Sequence, residues 1–280
     1  MNGADEERAR CPECGGGGWI YYRAPMPEEP AYKGNNIDWA RRCPICNGEK
    51  AKETHRKKQA NIPQAFYNAE FKDFNWTIYK DEQGNTIDLS KQQMYVTSFV
   101  NDFTDWEKKG IGLYIWSKTR GTGKTYLASA ICNTLIKERH LQTRFVSVSA
   151  LIDMVKEGRD GPKHPIDELC DCDVLVLDDL GQQNGGNEWL TDILFRICDT
   201  RMQTKRITIV TSNKKLRELN FDDRILDRLN RMLQPIPLPD YCVRDRESNS
   251  EKMELFANLG LMKPRQKREE EKQLNLEGVI

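Results

Sequence analysis

The sequence predicts an α/β protein, an open sheet of parallel strands with intervening helices, preceded by a small cysteine-bearing module. Three observations predict it. The run Gly121-Thr122-Gly123-Lys124-Thr125 follows the apolar stretch Gly112-Leu113-Tyr114-Ile115-Trp116 and precedes the helix-like Tyr126-Leu127-Ala128-Ser129-Ala130-Ile131. Asp173-Val174-Leu175-Val176-Leu177-Asp178-Asp179 is a continuous apolar run ending in two acids, the pattern of a strand buried on both faces. Cys11-Pro12-Glu13-Cys14 and Cys43-Pro44-Ile45-Cys46 form two C-x-x-C pairs.

Composition bounds the possibilities. A chain of 280 residues can form a full α/β domain and a small satellite. Lys and Arg number 43 against 43 Asp and Glu, so no global field points to nucleic acid or membrane, and any basic surface is local. No apolar run approaches the ~20 residues that span a bilayer, and Met1-Asn2-Gly3-Ala4-Asp5 opens no signal peptide. The expectation is a soluble cytoplasmic protein. Its nine cysteines then point to metal or packing, not to disulfides. Cys132, Cys170, Cys172, Cys198 and Cys242, scattered in or beside apolar segments, are expected in the core.

At the amino terminus, 28 residues separate the two cysteine pairs. Each pair makes a tight turn that aims two thiolates at one point, and the glycines behind them let backbone N–H groups approach the sulfurs. Cys11, Cys14, Cys43 and Cys46 suit a closed tetrahedral Zn²⁺ site, which is structural; a redox-active pair is the alternative. A hairpin carrying Trp19-Ile20-Tyr21-Tyr22 and a return around Trp39 would fill the gap. So small a module needs the metal, because it cannot bury enough apolar area alone. His55 reads as a surface residue. Lys50, Lys52, Arg56, Lys57 and Lys58 mark a basic linker or solvated helix, or else a contact to nucleic acid or an acidic partner.

The loop at 121–125 has the make-up of a triphosphate cradle. Glycines let consecutive N–H groups curl around phosphates, and a helix N-terminus faces the charge. Lys124 supplies a cation to the phosphates and Thr125 a hydroxyl to Mg²⁺. The usual spacing places a first glycine at 118, where this chain has Lys118; alone, the match could be an ordinary glycine-rich turn. The acid pair decides between them. In a parallel sheet the carboxyl edge binds ligands, so Asp178 would hold Mg²⁺ through water and Asp179 would position the attacking water. A lone acid pair there would more often be a helix cap.

Further on, Arg206-Ile207-Thr208-Ile209-Val210-Thr211-Ser212-Asn213 reads as a strand that can bring Asn213 beside the γ-phosphate, or simply as a strand ending in a turn. From Asp223 to Leu233, Ile225, Leu229, Met232 and Leu233 recur at helical spacing, with Arg224, Arg228 and Arg231 as a second stripe. Those arginines are either a solvated face paired with Asp223 and Asp227 or the source of an arginine finger for a neighbouring subunit's ATP. Pro235 to Pro239 reads as a last short strand, after which Arg244 could reach the γ-phosphate of its own subunit.

Together these segments, with Ile62-Pro63-Gln64-Ala65-Phe66-Tyr67, Asp178-Asp179-Leu180-Gly181, Thr211-Ser212-Asn213, Asp227-Arg228-Leu229 and Val243-Arg244, resemble the AAA+ helicase loaders of the DnaC/DnaI type over roughly residues 60–248. The cysteine module resembles the zinc-bearing domain of the DnaI-like branch. The resemblance implies an AAA+ P-loop domain with a central five-stranded parallel sheet. It implies Gly121, Thr122, Gly123, Lys124 and Thr125 at the phosphates, Thr125 and Asp178 at Mg²⁺, and Asp179 at the water. Asn213 becomes a first sensor, Arg228 the trans-acting finger and Arg244 the second sensor. Lys118 and Arg120 depart from the family, which usually has Gly and Pro there. Asp179, where most AAA+ proteins have Glu, fits the loaders and implies slow turnover.

The implied organisation is a zinc-binding helicase-interaction module at 1–60, a linker and start of the AAA+ region at 61–100, the ATPase domain at 101–248 and a charged tail at 249–280. The implied activity is slow, Mg²⁺-dependent ATP hydrolysis that loads a hexameric replicative helicase onto single-stranded DNA, with self-association through AAA+ interfaces. Lys156 and Arg159 are candidate DNA contacts. Alternatives are a transposition helper of the IstB kind, against which the four cysteines argue, and an adaptor that holds ATP with little hydrolysis.

Overall fold

The computed structural model describes residues 12–14, 19–25, 36–43, 49–156, 165–181 and 188–244. Cys11, Cys46, Arg159 and the tail at 249–280 lie outside them. The amino-terminal part is a two-stranded antiparallel ribbon, β1 (Trp19–Pro25) and β2 (Asn36–Arg42). Tyr22 lies opposite Trp39 and Trp19 opposite Arg42, so the expected hairpin and its return form. Helix α1 (Glu49–Ala60) follows, a basic helix with exposed His55, half-buried Lys52, Glu53, Arg56 and Lys57, and a buried last residue, Ala60.

The main domain is a parallel sheet of β3 (Gly112–Trp116), β4 (Thr143–Ser147), β5 (Val174–Leu180), β6 (Ile207–Ser212) and β7 (Leu233–Pro237), in the spatial order β4-β5-β6-β3-β7. The helices between them are α4 (Lys124–Arg139), α5 (Val148–Lys156), α6 (Pro165–Asp171), α7 (Glu188–Gln203) and α8 (Asp223–Met232), with α2 (Ser90–Asn101) and α3 (Phe103–Lys109) ahead of β3. This is the expected α/β fold with five parallel strands.

Side chains alternate along a strand, so a sheet covered on both faces needs apolar residues at nearly every position. Val174 and Val176 of β5 enter one core with Phe99, Leu127 and Ile131, while Leu175 and Leu177 enter the opposite core with Leu151, Leu194 and Leu229. The strands are closely fitted. A Cβ at Gly112 would be driven into the Thr208 carbonyl of β6, which explains a residue without a side chain in a central strand. Gly110, at φ +69°, lets α3 end and the chain turn directly into β3.

Residues 62–79, expected to lead into the domain, are part of its core. Ile62, Phe74, Trp76 and Tyr79 are buried among residues of α4, β3 and β7. The cysteines divide as the chemistry requires: Cys132, Cys170, Cys172 and Cys198 are buried, whereas Cys242 is half-buried beside the glycine loop.

At the amino end of the strands, Arg201 of α7 is fully buried. Its guanidinium donates to the carbonyls of Leu169 (2.7 Å), Cys172 (2.9 Å) and Ile207 (2.5 Å) and to the Thr208 hydroxyl (3.0 Å), tying α6, the turn ahead of β5 and the start of β6 together. Truncation would leave several buried carbonyls without donors, each costing about 1–3 kcal/mol. Arg201→Met is expected to lower the unfolding free energy by roughly 3 kcal/mol or more in a urea titration. A loss below about 1 kcal/mol would show that the carbonyls find other partners.

Candidate functional site

The loop after β3 takes its shape from two glycines. Gly121 (φ +71°) and Gly123 (φ +90°) occupy the left-handed region that side chains disfavour. A Cβ at 121 would stand 2.8 Å from the Cys242 sulfur, and one at 123 would stand 3.4 Å from the Tyr79 hydroxyl. Lys118 is outside that region, so its position makes no demand for glycine. Asp240 holds this first part of the loop instead, accepting from the Ser117 hydroxyl (2.9 Å) and the Thr119 N–H (3.1 Å). The departure at 118 therefore leaves the cradle intact.

Lys124 opens α4 and is almost fully buried. Its ammonium donates to the Thr119 carbonyl (2.8 Å), the Ser117 carbonyl (3.3 Å) and the Thr122 hydroxyl (3.3 Å), all within the loop. Burial depresses its proton affinity, and Asp179, Asp240 and Asp178 oppose that effect.

The acids reach the loop because β6 lies between β3 and β5. Thr211 of β6 donates to Asp178 Oδ1 at 2.6 Å, and Thr125 of α4 donates to the same oxygen at 3.1 Å. The register between β5 and β6 shifts between Leu177 and Leu180. Within the shift, Asp179 takes φ +59° and its N–H donates to the Thr211 hydroxyl at 3.0 Å. A non-glycine residue held there stores strain of order 1 kcal/mol or more. The bulge turns two consecutive residues the same way, so that Asp178 is bonded beneath Thr125 while Asp179 lines the open cavity.

That cavity has a volume of about 500 Å³. Lys124, Thr125, Asp179, Asn213, Arg120 and Arg244 line its polar part. Phe66, Phe74, Ile78, Tyr79 and Tyr126 line its apolar part. The Oδ1 of Asn213 is buried without a hydrogen-bond partner. An orphan acceptor next to a lysine, a hydroxyl and an acid fits a site completed by water and a phosphate. Arg244 is bound into the same structure through the backbone, because the Gly121 carbonyl accepts the N–H groups of Val243 (2.8 Å) and Arg244 (3.2 Å). The aromatic wall was missed from sequence. Its signal is the dense run Phe71 to Tyr79, with four aromatic residues in nine. Tyr79 also donates to the Thr122 carbonyl at 2.8 Å, steadying the cradle from the apolar side.

Polar cradle and aromatic wall together match a nucleoside phosphate, and the family model that fits residues 49–249 is that of the IstB-like ATP binding protein. The chain belongs to this family. It is 30% identical over 152 residues to the replicative helicase loader DnaC of Escherichia coli strain K12, covering 52% of this chain and 58% of that protein. It is 28% identical over 178 residues to the DnaC of Buchnera aphidicola subsp. Baizongia pistaciae, covering 61% and 67%. The crystal structure of DnaI superposes with a TM-score of 0.51 at 24% identity, over 66% of this chain and 96% of that one. The crystal structure of the DnaC helicase loader gives 0.51 at 21% identity, over 62% and 99%. These last two likenesses establish a shared fold.

In this IstB-like chain, some expected residues stand outside the cavity. Arg228 of α8 is not a free exposed arginine. Its Nε donates to Asp199 of α7 at 2.7 Å, its guanidinium carbon lies 4.3 Å from the Phe195 ring centre, and it also donates to the Arg224 carbonyl. Arg224 pairs with Asp222 and Arg231 with Asp227. The exposed arginine stripe is thus partly a set of ion pairs. Lys156 ends α5, away in sequence from every cavity residue. Cys14 is half-buried and Cys43 buried; the Trp19–Arg42 pairing closes the end of the ribbon that Cys43 directly follows. Among the described residues no three or more metal-binding side chains cluster, and no helix is long and apolar enough to cross a membrane.

Burial holds the Asp178 carboxyl above the ordinary carboxylate range, against the hydroxyls of Thr211 and Thr125. Without metal, its ionisation therefore opposes folding. Asp178→Asn keeps an acceptor for both hydroxyls and removes the charge. We expect a higher thermal midpoint than wild type at neutral pH without Mg²⁺. The advantage should shrink as pH falls through the raised value and vanish below the ordinary carboxylate pKa of ~3.9. A pH-independent difference would contradict the assignment.

Proposed function

We propose that the chain is an ATP-driven loader that places a ring-shaped replicative helicase on single-stranded DNA. The observation that carries this reading is the convergence of Lys124, Thr125, Asp178, Asp179 and Asn213 at one sheet edge beside an aromatic wall. The relatives named as replicative helicase loaders support the partner.

The roles follow from position. The backbone N–H groups around Gly121, Thr122 and Gly123 and the start of α4 receive the phosphates, and the Lys124 ammonium exchanges its loop carbonyls for phosphate oxygens. Phe74 and Tyr79 flank the base. The Thr125 hydroxyl and the Asp178 carboxylate are oxygen donors of the kind Mg²⁺ takes. When bound, that ion neutralises charge on the transferring phosphoryl group. Asp179, turned into the cavity by its backbone, accepts a proton from the attacking water, and the Asn213 amide fixes that water's orientation. Arg244 approaches the γ-phosphate in its own subunit. Arg228 serves a neighbouring copy after leaving Asp199, which makes self-association part of the activity.

Cys11, Cys14, Cys43 and Cys46 hold a structural Zn²⁺ in the amino-terminal module, and that module docks on the helicase. Lys156 and Arg159 lie in a segment that offers contacts to DNA. Two observations favour a second reading, an ATP-holding adaptor with little hydrolysis: Asp179 reaches one methylene less far than Glu, and Arg228 is already engaged with Asp199.

Lys124→Ala is expected to abolish ATP binding by the full chain, measured with a fluorescent nucleotide. Asp179→Asn is expected to bind ATP normally and to lose turnover about 100-fold or more. Turnover that persists unchanged in Lys124→Ala would remove the nucleotide assignment, and wild-type phosphate release indistinguishable from Asp179→Asn, with and without single-stranded DNA, would favour the adaptor. Capture of a replicative helicase should be lost when residues 1–60 are deleted; capture that survives the deletion would move the docking site elsewhere.

A further inference from the structure

Among the described residues, four large hydrophobic side chains are exposed, and three of them sit on one strand of the amino-terminal ribbon: Trp19 (41%), Tyr21 (75%) and Tyr22 (44%). Residues opposite one another in an antiparallel pair share a face. The register therefore puts Trp19 and Tyr21 on one face with Ala40 and Arg42, and Tyr22 on the other with Arg41. Each outer ring carries a cation. The Arg42 guanidinium carbon stands 5.0 Å from the Trp19 ring centre, and that of Arg41 stands 6.0 Å from the Tyr22 ring centre. By composition the two strands carry Arg23, Arg41 and Arg42 against a single acid, Asp38, a net positive charge in a chain that is neutral overall.

The spacing discriminates between partners. Trp19 and Tyr21 are two residues apart on one strand face, about 6.6 Å, close to twice the ~3.4 Å between successive bases of a nucleic-acid strand. Two neighbouring rings at that pitch can each take a base, or hold one between them, while Arg42 meets the phosphates. A protein partner would favour an apolar patch depleted of charge at its centre. Here a guanidinium lies over the ring of Trp19, so charge sits directly on the largest apolar side chain of the face.

We propose that the Trp19–Tyr21–Arg42 face of the β1–β2 ribbon is a stacking platform for single-stranded nucleic acid. It lies ahead of residues 49–249, which the family model matches, and it depends on neither ATP turnover nor a helicase.

The test is fluorescence anisotropy of a labelled oligothymidylate with the full chain, without nucleotide. Tyr21→Ala and Trp19→Ala are each expected to weaken binding about fivefold or more, since one stacked base contributes ~1–3 kcal/mol. Trp19→Phe, which keeps a ring, should recover most of the loss, and Arg42→Ala should lower the salt dependence by about one phosphate contact. Met94→Ala, which removes an equally exposed side chain elsewhere, is the control and should bind as wild type. Tyr21 is three-quarters exposed, so its truncation removes no core contact, and circular dichroism checks the fold. No binding by the wild type, or equal affinity for wild type, Tyr21→Ala and Trp19→Ala, would overturn the proposal. If those variants bind DNA normally but fail to capture a helicase, the face belongs to a protein partner and the proposal is likewise overturned.

Discussion

Everything at the carboxyl edge of the sheet depends on one buried carboxylate. Asp178 ends the apolar part of β5, where burial opposes its charge, and is held by the hydroxyls of Thr211 and Thr125. Those hydroxyls belong to β6 and to the first turn of α4, so one side chain ties three elements at the point where the strands stop. The strand order makes this possible. With β6 between β5 and β3, the glycine loop and the acids are one strand apart, which leaves room for a phosphate and a water between them. The shift in register beyond Leu177 then turns Asp179 into the cavity without moving Asp178.

A second constraint comes from outside the sheet. Tyr79 bonds the Thr122 carbonyl while its ring meets Tyr241 edge-on, and the Gly121 carbonyl takes the N–H groups of Val243 and Arg244. The segment ahead of β3 and the segment after β7 thus meet on the glycine loop. Filling the cavity would be felt by both. Arg228 is placed differently. Its ion pair with Asp199 and its stacking on Phe195 bind α8 to α7, so its availability to another subunit depends on opening a contact within this one.

Much of this was legible in the sequence because it rests on local chemistry. Gly121 and Gly123 mark positive φ angles, Lys124 and Thr125 follow at a spacing that opens a helix, and the apolar run ending in Asp178 and Asp179 has the pattern of a strand buried on both faces. The hairpin of the amino-terminal module was readable from two aromatic stretches. What was not legible depends on long-range pairing. Nothing in the order of residues says that Asp240 would stabilise a loop beginning at Lys118, or that Phe74 and Tyr79 would return to wall a pocket formed by residue 124. Arg228 was misjudged as exposed for the same reason: the periodicity of α8 shows which side faces the core, but not that Asp199 and Phe195 wait on the neighbouring helix.

The central claim is that the glycine loop, the acid pair, the aromatic segment and the strap at Val243 and Arg244 form one site for MgATP. Hydrogen–deuterium exchange of the full chain with and without MgATP tests it most directly. The account predicts simultaneous protection at residues 119–125, 178–181, 74–79 and 241–244. Protection confined to the loop, or none at all, would contradict it.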